Sequence, residues 1–213
     1  MALVKSGIAK GFSGKVGNII FSQQKNGTTT VREKPETIEK PATLKQLSSR
    51  QDMAVCNAFL KPLKSFILTG YALQAEQEKG NQHNSMVSYL MLNALTGEYP
   101  DRRIDFSKVL VTKGKMQQPE DAAVNLNESG FSFSWNPKTT DDLHYSDQIM
   151  MLAYFPELQR AEFRTAGAQR HQGKDLLFLS GIKKGYIAEV YISFITDDRK
   201  GISDSVYLGQ LTW

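Results

Sequence analysis

The chain has 213 residues, 40% of them hydrophobic and 23% charged, with a formal net charge of +4. That length and composition fit a soluble globular protein of one or two domains, large enough to bury a core. No apolar run nears the roughly 20 residues needed to span a bilayer, the opening MALVKSGIAKGFSGK lacks the apolar stretch of a secretory signal, and a single cysteine, Cys56, excludes an internal disulfide. Together these features point to a reducing, cytoplasmic setting.

The charge is uneven. Residues 1–50 hold nine Lys/Arg against three Glu, a net of +6, which leaves 17 basic and 19 acidic groups, a net of −2, for the other 163 residues. The basic character therefore belongs to an N-terminal arm, residues 1–40, and suits a polyanion or an acidic protein surface. Within it, 16–21 (VGNIIF) and 28–32 (TTTVR) are β-favouring runs. Between them SQQKNG ends in Asn26-Gly27, a turn dipeptide because both residues tolerate positive φ. A β-hairpin is expected, approached through Gly7, Gly11, Gly14 and Gly17 and followed by a polar linker bracketed by Pro35 and Pro41.

The stretch GFSGKVG, 11–17, is not a Walker loop. Gly7 stands at the wrong spacing from Gly14, Val16 replaces the hydroxyl that would hold magnesium, and no strand precedes the motif. Gly14-Lys15-Val16-Gly17 also matches the Gly-x-x-Gly clamp of KH domains, a pattern too short to be informative alone. Turn glycines are the simpler reading. Lys10, Lys15, Lys25 and Arg32, with Phe12 and Phe21 interleaved, are the residues expected to contact a partner or polyanion.

Helical signals begin at Thr43, which stands at capping-box spacing from Gln46. Pro62 has no N–H, so the helix is expected to run to about Leu60, with a further turn or two (LKSFIL) ending near Gly70. After a polar segment, QAEQEKGNQHN, expected to be exposed, Asn84 can cap a second helix, SMVSYLMLNAL, stopped by Gly97 and Pro100. The two helices make up a segment, 41–106, whose apolar stripes need another surface to cover them.

From Lys108 onward the signals are all β. Strands are expected at 109–112, at 131–135, at 147–155 (nearly continuous apolar), at 162–165, at 175–180, and as a long pair within 181–211. In the first of that pair Tyr186, Ala188, Val190, Ile192 and Phe194 fall on one face and Glu189 and Ser193 on the other. One buried face and one wet face are expected. The count and spacing predict an antiparallel β-sandwich over 107–213. The predicted fold class is α+β: hairpin arm, two-helix segment, sandwich.

The segment LLFLSGIKKGYIAEVYISFITDDRKGISDSVYLG resembles the end of a fibronectin type III domain. It has a Leu-rich strand E, a Gly-containing E–F turn, a long alternating strand F, a polar turn and a Ser-rich strand G. Trp135, after its F-S-F-S run, is similar to the tryptophan of that family's second strand. One position departs from the pattern: Ala188 stands where the family's strand-F tyrosine is expected, and Tyr186 comes two positions early. The resemblance implies a fibronectin III- or immunoglobulin-like sandwich. A second resemblance covers roughly 11–66. GKVGNIIFSQQKNGTTTVREKP…PATLKQLSSR is similar to the openings of uncharacterised bacterial and phage-encoded proteins, and the whole chain resembles one bacterial family of unknown function. That family implies no activity. Its phage-encoded relatives imply a particle-structural, virion-associated role by association alone.

Little else in the chain carries chemistry. His83, His144 and His171 have no second ligand at metal spacing, and Asp141-Asp142 and Asp197-Asp198 sit in apparent turns with too few oxygens for calcium. No Gly-x-Ser-x-Gly elbow occurs. Cys56 reads as a small hydrophobe on a helix, and Met86, Met91, Met150 and Met151 as core filling. No enzyme activity, cofactor or metal is expected. The expected function is that of a structural or interaction protein, a homo-oligomer or phage-particle component, contacting protein partners and no membrane. Its arm would reach a neighbouring subunit and pair the 16–21 edge by strand addition. The alternative is a nucleic-acid-binding protein using the same arm, where neutralised phosphates would release counterions, although aromatic stacking platforms are sparse.

Overall fold

The computed structural model describes residues 2–24, 27–36, 41–138 and 145–213, and the chain divides into two compact units, Met1–Ala42 and Thr43–Trp213. The class is mixed α+β, with few helices and several antiparallel sheets.

The first unit is more than a hairpin. Strands β1 (Ala2–Val4), β2 (Gly14–Val16), β3 (Ile19–Gln23) and β4 (Thr29–Glu33) form one antiparallel sheet in the order β1-β4-β3-β2. The expected hairpin is its centre, with Phe21 opposite Val31. The 16–21 run is therefore not one strand: Val16 ends the edge strand β2, Ile19 opens the inner strand β3, and Gly17-Asn18 turns between them. Gly17 takes φ +58°, which glycine adopts without strain at the first central position of a two-residue hairpin turn. Asn26 of the other expected turn lies outside the described residues.

In the second unit, α1 (Leu44–Gly70) opens with the expected capping box. The Gln46 N–H donates to Thr43 Oγ1 at 3.3 Å and the Thr43 N–H to Gln46 Oε1 at 3.0 Å. The helix does not break near Leu60 but runs through Pro62. Its buried stripe of Cys56, Phe59, Leu60, Leu63, Phe66, Ile67 and Gly70 is continuous across the proline, so packing holds both halves in line. Ala58, whose carbonyl loses its usual donor, is exposed and open to water. A short helix, α2 (Ala72–Gln77), runs into the polar segment expected to be exposed. The next helix, α3 (Gln82–Asn93), begins earlier than expected, because Asn81 is the cap: its Oδ1 accepts from the Asn84 N–H at 2.8 Å. A small hairpin, β5 (Leu95–Thr96) and β6 (Arg103–Ile104), follows.

Seven strands complete the chain: β7 (Ala123–Asn127), β8 (Gly130–Ser134), β9 (Gln148–Phe155), β10 (Arg160–Arg164), β11 (Lys174–Phe178), β12 (Ile187–Ile195) and β13 (Val206–Thr212). They form two antiparallel sheets, β11-β8-β7 and β10-β9-β12-β13. The strand expected at 109–112 is absent. Its groups bond to the approach to β13 instead, the Val111 N–H donating to Ser205 Oγ at 2.9 Å and the Ser205 N–H to the Thr112 carbonyl at 3.2 Å.

The four-stranded sheet is covered on both faces. On one, Met151, Ala153 and Phe155 of β9 and Val190, Ile192 and Phe194 of β12 share an apolar layer with Phe131 and Phe133 of β8 and Leu177 of β11. On the other, Met150, Leu152 and Tyr154 of β9 and Tyr191 and Ile195 of β12 pack with α1 and α3. This corrects the expected wet face of β12, since Glu189 and Ser193 are each 1% exposed. The Glu189 carboxylate is accommodated because it accepts from the Tyr207 hydroxyl at 2.6 Å and from Gln210 Nε2 at 2.8 Å. The helices, read from the sequence as a segment ending at 106, thus share a core with the strands that follow.

Candidate functional site

Residues directly paired across an antiparallel sheet share a face, so the register of the first unit sorts its side chains. One row runs Lys15–Ile20–Arg32 and the next Ser22–Thr30–Leu3. The structure therefore brings Lys15 and Arg32 to one face, two strands apart. Lys10 is elsewhere, exposed in the loop between β1 and β2, and Lys25 lies outside the described residues.

The opposite face is apolar. Its rows are Val16–Ile19–Glu33, Gly14–Phe21–Val31–Ala2 and Gln23–Thr29–Val4. The β1–β2 loop folds along this sheet: Phe12 sets its ring edge-on to Phe21 at 5.9 Å, and the Gly11 N–H donates to the buried Thr29 hydroxyl at 2.9 Å. Even so, Val16, Phe12 and Ile19 are 65%, 48% and 45% exposed. Lys10 and Lys15 are exposed, but sequence reasoning missed this face. The available signal was the i, i+2 spacing of Ile19 and Phe21, which the turn at Gly17-Asn18 brings into line with Val16.

Buried polar groups in the second unit serve its packing. Arg170 is 1% exposed. Its Nη2 donates to the Gln117 carbonyl at 3.1 Å and meets Asp147 Oδ2 at 3.4 Å, and its guanidinium lies 3.8 Å over the Phe194 ring. Burial pulls its pKa down from the ordinary arginine value, and the Asp147 carboxylate opposes that pull. The Trp135 indole N–H donates to the Arg170 carbonyl at 2.7 Å. Cys56 is buried, and burial, with Asp52 nearby, pushes its thiol up to about 11. It stays protonated at neutral pH and is no nucleophile there.

Asp198 behaves as a turn residue, accepting from the Thr196 hydroxyl at 2.8 Å and the Lys200 N–H at 3.0 Å. Among the described residues no group of three or more His, Cys, Asp or Glu side chains could hold a metal ion. His144 and Asp141-Asp142 lie outside them. Among the described residues no helix is long and apolar enough to cross a membrane.

These features define an α+β protein that carries, beside its helix-and-sheet unit, a small sheet with one apolar and one partly basic face. The chain belongs to a family of unknown function, DUF6266, which matches residues 11–209. The match takes in β2, β3 and β4 as well as the helices and the strands from β7 into β13, so most of the N-terminal sheet lies within what the family spans. No curated protein and no solved structure matches the chain.

Proposed function

We propose that this is a non-enzymatic interaction protein that assembles with itself, as a homo-oligomer or particle component, through its N-terminal sheet. The observation that carries the reading is the exposed apolar face of Phe12, Val16 and Ile19, continuous with Phe21, Val31 and Val4. Covering apolar surface gains roughly 25 cal/mol per Å², and contiguous patches of this kind mark interaction sites. Face burial replaces strand addition through 16–21 as the assembly contact, since all of that run but Val16 lies in a turn or in the inner strand β3. The likeness of the opening to phage-encoded proteins favours a particle as the setting.

The two sheets formed by β7 to β13 support a fibronectin III-like sandwich as the scaffold. In chain order, the first, second and fifth of the seven strands form one sheet and the other four form the second. Immunoglobulin constant domains differ from this split only in the sheet joined by the fourth strand. The out-of-place tyrosine also has a physical counterpart. At the turn before β12, the Trp213 indole N–H donates to the Ile182 carbonyl at 2.9 Å, the kind of side-chain tie that a tyrosine corner supplies.

The second reading is nucleic-acid binding, favoured by the placing of Lys15 and Arg32 on one face. One experiment separates the two: light scattering of the full chain and of a chain lacking residues 1–34, with and without nucleic acid, at two salt concentrations. Assembly predicts a wild-type mass above one chain that falls to one chain on deletion. A deletion that leaves the mass unchanged contradicts it. Nucleic-acid binding predicts a complex that weakens steeply with salt and is lost when Lys10, Lys15, Lys25 and Arg32 are replaced by alanine.

A further inference from the structure

The second unit contains a cleft of about 480 Å³ that the assembly surface does not use. Its walls are α2, the segment 113–117, and the segment 200–204 that leads from β12 to β13. The last two are locked together. The Met116 N–H donates to the Ile202 carbonyl at 3.1 Å, the Gly114 N–H to Asp204 Oδ1 at 2.9 Å, and the Thr112 hydroxyl to the Ser203 carbonyl at 2.8 Å. Two glycines permit the approach: a Cβ on Gly114 would lie 2.0 Å from the Ile202 carbonyl oxygen, and one on Gly201 2.6 Å from the Met116 sulfur. The cleft is thus formed by fixed backbone rather than by mobile side chains.

Its charge is one-sided. Lys113, Lys115 and Lys200 line it, against the single carboxylate of Asp204, which is already engaged by the Gly114 N–H. Lys200 meets Asp198 at 3.6 Å, but both are exposed and water screens the pair. Lys113 lies 5.4 Å over the Tyr89 ring, and Lys115 has no ion pair among the described residues. Three lysines lining one concave, fixed surface attract a multiply charged anion. Ammonium groups serve phosphate oxygens as compact point charges.

We propose that this cleft binds a small phosphate-bearing anion, held by Lys113, Lys115 and Lys200. The site lies wholly within the second unit and does not depend on the assembly reading. Calorimetric titration of the full chain with inorganic pyrophosphate at low salt tests it, with citrate as the carboxylate comparison. Saturable one-site binding is expected, at least tenfold weaker in the triple variant Lys113→Gln/Lys115→Gln/Lys200→Gln and unchanged in Lys10→Gln/Lys15→Gln/Arg32→Gln. Thermal unfolding checks that both variants fold, and Lys115→Glu alone serves if the triple variant does not. Absence of saturable pyrophosphate binding, loss of binding in the N-terminal variant instead, or equal affinity for citrate would overturn the proposal.

Discussion

Gly70 shows how a single position can reverse a general rule. Inside a helix, alanine is ordinarily better than glycine by about 0.8–1.0 kcal/mol. At the end of α1, however, a Cβ on Gly70 would lie 2.6 Å from the Val111 carbonyl oxygen and 3.0 Å from Thr112 Cγ2, while the Gly70 carbonyl accepts from the Lys113 N–H at 3.1 Å. Backbone stands in the way, and it is bonded in place. Gly70→Ala is therefore predicted to destabilise the protein by about 1–3 kcal/mol, the range typical of overpacking. Urea denaturation reads this directly, and a midpoint that stays put or rises contradicts the packing described. Glu189 and Ser193 teach the complementary lesson. Polarity in a strand pattern reports which residues like water, not which ones reach it, and two donors from β13 keep Glu189 satisfied out of reach of solvent.

Elements were legible where their determinants are local. The capping box at Thr43 and the alternation of Phe131 and Phe133 each depend on neighbours a few residues away, and each stands as read. Pro62 misleads as a stop signal because its local cost is offset by burial along the whole of α1, a tertiary effect. The long apolar run of β9 likewise makes sense only once both its faces are covered, by the second sheet and by the helices. Phe59 joins α1 to that sheet, its ring edge-on to Tyr154 at 4.9 Å. Phe59→Ala is predicted to cost about 3–5 kcal/mol. Because helices and strands share the core, far-ultraviolet circular dichroism and tryptophan fluorescence should shift together in one transition. Two separate transitions would contradict the shared core.

At the scale of the whole molecule, the basic arm was legible as charge but not as shape. Lys15 and Arg32 are 17 positions apart in the sequence, and only the register through Ile20 sets them on one face. The lysine cleft was beyond sequence reasoning for the same reason, since Lys115 and Lys200 come to one cleft only through the pairing of two distant segments. The apolar face of the small sheet is where the central claim can fail most plainly. Light scattering of two full-length variants, Val16→Asp/Ile19→Asp on the apolar face and Lys15→Ala/Arg32→Ala on the opposite one, sets the two faces against each other. The account predicts a mass of one chain for the first variant and the wild-type assembly for the second; assembly that survives the aspartates, or is lost with the cations, would contradict it.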